Sequence, residues 1–215
     1  MKKSVLFFIA LSLVIFYSSC DLLEKDDPNS IEGDQSPMGV VGATVSSSGS
    51  EIAGVSNING TVISLSDKTS VYSGSCVCKN QFLKNLCANI PELVISGDNI
   101  STGNVKIKNT KEGIELKTGN TQGIIAKYDA NVGDKFRISG GGERVVVSKS
   151  TTDDYSYGWY LIKAMAIEEV SASLQSMGIN KITYWSNHKF GLVGVDFYFS
   201  DGSTGKFPIY SSSEN

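Results

Sequence analysis

The run Gly194-Val195-Asp196-Phe197-Tyr198-Phe199-Ser200-Asp201-Gly202-Ser203-Thr204-Gly205-Lys206-Phe207-Pro208-Ile209-Tyr210 carries the clearest structural signal in the chain. Side chains alternate faces along a strand. Val195, Phe197 and Phe199 therefore share one face, and Asp196 and Tyr198 take the other. Asp201-Gly202 supplies residues that tolerate the tight turn of a hairpin. Lys206–Tyr210 returns as the partner strand, with Pro208 pointing to an edge or terminal position because it has no N–H to donate to a ladder.

Working outward from this hairpin, the same period recurs. Lys135–Ile138 and Glu143–Ser148 flank Gly140-Gly141-Gly142 and read as a second hairpin. Gly123–Tyr128, Gly113–Lys117, Val105–Lys108 and Thr61–Leu65 read as further short strands. Gly39–Gly60 is rich in Gly and Ser and is expected to be irregular or a weakly paired edge. One segment has helical spacing: Phe82, Leu83, Leu86, Cys87 and Ile90, stopped by Pro91. Trp159–Val170 is ambiguous. Its aromatic and β-branched residues favour one long strand, which is the reading adopted, whereas Ala164, Met165, Ala166, Glu168 and Glu169 favour a helix. The expected fold is mainly β, an antiparallel sheet forming a sandwich or curved half-barrel, with one short helix near residues 79–90.

Composition narrows the function classes. The 215 residues include 19 Lys+Arg, 22 Asp+Glu and a single His, for a formal net charge of −3. That balance offers no electrostatic attraction for nucleic acid. One histidine excludes catalytic schemes that need two.

The N-terminus is the most specific signal. Met1-Lys2-Lys3 is a short basic segment, Val5–Tyr17 is apolar except for Ser12, and Tyr17-Ser18-Ser19-Cys20 closes the stretch. Thirteen residues at about 1.5 Å rise reach roughly 20 Å, short of a hydrocarbon core of about 30 Å. This arrangement resembles the signal of bacterial lipoproteins, in which small residues precede an acylated cysteine; Tyr17 stands where leucine is usual. The resemblance implies lipidation of Cys20, with residues 1–19 as signal peptide and three acyl chains holding the mature protein on a membrane. Cleavage would leave 196 residues with 17 basic against 22 acidic side chains, a charge of −5. Asp21-Leu22-Leu23-Glu24-Lys25-Asp26-Asp27-Pro28 resembles the surface-export signals of Bacteroidetes lipoproteins, whereas enteric-type sorting reads Asp21 as inner-membrane retention. Residues 20–50 are expected to form a lipidated N-terminus and flexible tether, and 51–215 a single β-rich domain. The expected location is the bacterial envelope, outer membrane, on its periplasmic or surface side.

The remaining thiols are Cys76, Cys78 and Cys87. Cys76 and Cys78 are too close in sequence to bond each other without strain. The expected disulfide joins Cys87 to Cys78 (or Cys76), closing a loop of about ten residues and contributing about 2–3 kcal/mol. A thiolate metal site would want paired C-x2-C spacings and a nearby histidine, which are missing. No metal and no cofactor are expected.

Candidate ligand contacts are Tyr155, Tyr157, Trp159, Trp185 and His188, because flat amphipathic rings stack on ligand faces at low entropy cost. Packing of amphipathic rings at a sheet rim is the commoner explanation of such a cluster. His188 has no G-x-S-x-G elbow to serve, so a hairpin histidine is the simpler assignment. Asp153 and Asp154 read as turn residues. Asp129-Ala130-Asn131-Val132-Gly133-Asp134 lacks the third acid and distant glutamate of a calcium loop. No P-loop or dinucleotide fingerprint is present.

The segments Ala126–Asp129, Val132–Phe136, Thr151–Tyr155, Ile162-Lys163 and Asn187–Val195 resemble a group of uncharacterised Bacteroidetes-type envelope lipoproteins over residues 122–207. The resemblance implies an antiparallel β fold and carries over no site. The leading expectation is a lipid-anchored, non-enzymatic envelope protein that binds a ligand or a partner protein. A curved sheet enclosing an apolar cavity would suit a hydrophobic ligand, and an aromatic rim a glycan. The alternative is a glycan-directed envelope hydrolase using paired carboxylates among Asp153, Asp154, Asp196 and Asp201.

Overall fold

The computed structural model describes residues 30–119 and 122–213. Cys20 and the signal-like segment lie outside them. Among the described residues, the unit that begins at Ile31 contains sixteen strands, two short α-helices and a 3-10 turn at Pro37–Gly39. The first sheet has eight strands: β1 (Thr44–Ser46), β2 (Val55–Ser66), β3 (Thr69–Cys78), β4 (Leu93–Ser96), β5 (Asn99–Asn109), β6 (Gly113–Leu116), β7 (Gly123–Lys127) and β16 (Tyr210–Ser212). The second has six: β8 (Lys135–Arg137), β9 (Glu143–Lys149), β12 (Met165–Val170), β13 (Ile179–Asn187), β14 (Gly191–Phe199) and β15 (Thr204–Pro208). β10 (Tyr155–Tyr157) and β11 (Tyr160–Ile162) form a separate hairpin. All pairings are antiparallel, as the period-two reading requires.

The first sheet curls into a half-barrel, and its bulges explain the curl. Register shifts interrupt β2–β3 between Ser56 and Asn59 and between Val62 and Ser64, and β3–β5 between Tyr72 and Gly74. Asn57 sits at φ +55 inside the first of them. Each bulge bends its strand and strengthens the local twist. Gly60 pairs with Gly74, where a Cβ would lie 2.5 Å from the Asn59 carbonyl oxygen, so only glycine permits that approach.

Two clusters join the sheets. Val55, Cys78 and Ile100 of the first sheet meet Ile179, Ile182, Phe199 and Phe207 of the second, together with Leu83 and Leu174. Leu83 belongs to helix α1 (Gln81–Ala88), capped by Asn80 through a 3.1 Å bond from the Leu83 amide. Leu174 belongs to helix α2 (Ala172–Ser176), which the sequence reading did not anticipate. At the other end Ile31, Ile124 and Ala126 pack on Phe136, Val146, Met165 and Ile167.

A buried ion pair reinforces that end. Arg144 is fully buried; its Nε donates to Glu169 Oε2 at 2.8 Å, and its Nη1 donates to the Gly123 and Ile124 carbonyls at 3.1 Å each. The Tyr184 hydroxyl donates to the same Glu169 oxygen at 2.9 Å. Arg144 thus bonds β7 of one sheet and β12 of the other. Burial works against its charge, but Tyr184 and Glu169 outweigh that and hold the guanidinium above its ordinary range.

Four expectations are corrected. The packed unit starts at Ile31, not at residue 51: Ile31 is fully buried, and β1 pairs with both β2 and β16. Val55–Gly60 is not an irregular edge but half of a 12-residue strand. Trp159–Val170 is β rather than helix, yet it divides into β11 and β12 in different sheets, because Lys163 and Ala164 break the pairing. Finally, Val195, Phe197 and Phe199 do share the core face, but Asp196 opposite them is also buried, 8% exposed. The second face of β14 is covered by the β10–β11 hairpin, which a strand read in isolation does not reveal.

Candidate functional site

Curling leaves a space that the side chains do not fill. A partly open cavity of about 340 Å³ lies against the curled first sheet, lined also by Leu192 of β14 and by Ile209 between β15 and β16. Its wall comes from inward positions of β1–β5, among them Val45, Ile58, Tyr72, Val105 and Ile107, with Cys87 of α1 and Leu93 of β4 at one side. Gly60 and Gly74 contribute wall without side chains to occupy the centre. Ile58, Val105 and Ile107 are only half-buried although they face inward, since the space beside them holds no protein atoms.

The wall is uncharged. No Asp, Glu, Lys, Arg or His lines it. Its titratable groups are held neutral: burial raises the Tyr72 hydroxyl, burial and then Cys78 raise the Cys76 thiol, and burial followed by Cys78 and Cys76 pushes Cys87 up to about 12. Protonated thiols of this kind are poor nucleophiles and poor metal ligands. Uncharged polar residues also line it, Asn59, Ser73, Ser75, Ser101, Thr102 and Ser211 among them; the Tyr72 hydroxyl donates to the Met38 carbonyl at 3.1 Å, and Asn109 Oδ1 has no hydrogen-bond partner among the described residues.

The expected Cys78–Cys87 (or Cys76–Cys87) disulfide is corrected. All three cysteines are free thiols. Cys78 Sγ turns to the Asn80 carbonyl at 3.5 Å at the start of α1. Cys76 and Cys87 pack as small apolar side chains against the core and the cavity. Among the described residues no cluster of three His, Cys, Asp or Glu is placed to hold a metal ion.

The five aromatic and histidine candidates do not converge on one site. Tyr155 packs against Trp185 with centroids 4.9 Å apart and the rings tilted by 33°, and the Trp185 indole donates to Asp196 Oδ2 at 3.0 Å. Tyr157 is buried between Phe190 at 4.9 Å and Tyr210 at 5.4 Å, and its hydroxyl accepts from the Ser211 amide at 3.1 Å. These contacts hold the β10–β11 hairpin against β13 of the second sheet, the β13–β14 turn and β16 of the first. Trp159 stands at the hairpin tip, 98% exposed, and His188 is exposed in the β13–β14 turn.

The four carboxylates of the hydrolase alternative sit on separate elements with separate duties. Asp153 is exposed in the loop before β10, and Asp154 accepts from Ser150 Oγ at 2.5 Å. Asp196 lies under Trp185. Asp201 accepts from the Ser203 amide and hydroxyl at 2.9 and 2.6 Å, which lowers its pKa.

The cavity residues were missed as a site by the sequence reading, although Val105-Lys106-Ile107-Lys108 was recognised as alternating. Alternation marks an inward face; it does not say whether that face meets a partner side chain or an empty space. Among the described residues no helix is long and apolar enough to cross a membrane. No family model matches this chain, and neither the curated proteins nor the solved structures with which it was compared provide a match.

Proposed function

We propose that this chain is a lipid-anchored protein of the bacterial envelope that holds a compact, uncharged, apolar ligand in the half-barrel cavity without transforming it chemically. The observation that carries the reading is the cavity: about 340 Å³, walled largely by apolar side chains and free of charged ones. This volume falls at the lower end of the roughly 300–1,000 Å³ typical of small-molecule sites. A neutral wall discriminates, because an ionised headgroup brought inside without a partner loses its hydration with nothing in return. The anchor is acylated Cys20, and the location is the outer membrane, on its periplasmic or surface side.

N-phenyl-1-naphthylamine, a neutral apolar fluorophore, tests the cavity. Its emission should rise saturably with the protein, and Val105→Trp should abolish the rise by filling the space while thermal unfolding remains cooperative. Absence of saturable binding, or equal binding by the filled variant, would overturn the reading.

A further inference from the structure

The tip of the β10–β11 hairpin has an exposure that packing does not explain. Trp159, Tyr160 and Leu161 are 98%, 70% and 59% exposed in succession. Tyr157 pairs with Tyr160, leaving Gly158-Trp159 as a two-residue loop in which Gly158 takes φ +58. The hairpin beneath is held in place. Tyr157, Ile162 and Val193 form a buried cluster, with Tyr155, Trp185, Phe190 and Tyr210 around it. An anchored hairpin that presents three large apolar side chains to water is a candidate contact surface.

Its surroundings indicate what it contacts. Lys163, His188 and Lys189 are exposed and line the same concavity as Tyr160 and Leu161, with Asp153 the acid there. Asn187 fixes this arrangement: its Nδ2 donates to the Lys163 carbonyl at 2.7 Å, and its Oδ1 accepts from the Lys189 and Phe190 amides at 2.8 and 3.1 Å. Two lysines and the only histidine thus flank an apolar tip on a chain of net charge −3. Trp and Tyr favour the bilayer interface, Leu the hydrocarbon below it, and lysines the anionic headgroups.

Chain length makes the contact reachable. Cys20 precedes Ile31 by eleven residues, which span at most roughly 36–40 Å. Ile31 packs in the same cluster as Met165, where the chain returns from the hairpin to the second sheet. From Met165 to Trp159 is six residues, roughly 20 Å of strand. The length of chain between Cys20 and Ile31 therefore allows the tip to meet the surface that holds the acyl chains.

We infer that Trp159, Tyr160 and Leu161 form a second membrane contact, seated in the interface of a bilayer containing anionic lipid, with Lys163 and Lys189 against the headgroups. The inference rests on acylation at Cys20 and is independent of the cavity ligand. Full-length acylated protein in vesicles of phosphatidylcholine with a minority of phosphatidylglycerol tests it. The difference between wild type and Trp159→Phe isolates the emission of Trp159 from that of Trp185, the only other tryptophan. The Trp159 component should shift to the blue, be quenched by brominated lipids, and lose part of the shift in high salt. Protein that floats with the vesicles while Trp159 stays fully open to aqueous iodide overturns the tip contact and spares the anchor. Protein that does not float overturns both. A blue shift of Trp159 produced by soluble oligosaccharides in the absence of lipid, with none on vesicles, overturns the tip contact in favour of a glycan platform.

Discussion

Replacing Arg144 by methionine tests whether the two sheets are joined as described. The substitution keeps most of the side-chain volume and removes the guanidinium. Glu169, 1% exposed, would then carry a buried charge with only the Tyr184 hydroxyl left of the partners described. The Gly123 and Ile124 carbonyls would each lose a 3.1 Å bond. Removing one partner of a buried pair typically costs about 3–5 kcal/mol. Unpaired buried acceptors act in the same direction, at roughly 1–3 kcal/mol each where water cannot reach them. Against a total stability of about 5–15 kcal/mol, the single variant should lose at least about 3 kcal/mol. In urea the midpoint should fall steeply with little change in slope. The double variant Arg144→Met with Glu169→Met should recover part of the loss, because no charge is left stranded, so the two single effects should be strongly non-additive. A cost below about 1 kcal/mol for Arg144→Met, or simple additivity in the double variant, would refute the argument that this pair bridges the sheets.

Asp196→Ala should cost about 1–3 kcal/mol by leaving the Trp185 indole N–H without its 3.0 Å acceptor; an unchanged urea midpoint would contradict the burial of that face. Phe199→Ala, at a side chain 1% exposed, should cost about 3–5 kcal/mol, and near-neutral thermal unfolding would show the register to be wrong. Thiol titration of non-reduced protein, slow in the folded state, should find Cys76, Cys78 and Cys87 all reactive after denaturation; finding only one would restore the disulfide. Burial, followed by Cys78 and Cys76, raises the folded Cys87 thiol from its ordinary value near 9.0 up to about 12. The unfolded chain releases that proton first, so stability falls as pH rises from about 9 towards 12, and Cys87→Ala should flatten that decline in urea midpoints measured across the range. Cys20→Ala should release the protein from membranes or leave an unprocessed precursor; normal processing with full membrane retention would refute the anchor.

Local structure was legible in the sequence alone. Period-two runs and Gly or Asx turns specify antiparallel strands because side-chain direction is set residue by residue. The 3.6-residue spacing ended by Pro91 likewise specified α1. Val195, Phe197 and Phe199 were legible as one face for the same reason. The rest depended on neighbours distant in sequence. Ile31 looks like part of a polar tether until strands more than ninety residues away bury it. Asp196 reads as outward-facing until the β10–β11 hairpin folds over it. Cys76, Cys78 and Cys87 suggest a disulfide by spacing, whereas the folded chain carries all three as free thiols. The cavity has no local signature at all. It arises because bulges in β2, β3 and β5 curl the sheet and because glycines stand opposite each other at Gly60 and Gly74, and curvature summed over several strands is a property that only the assembled sheet possesses.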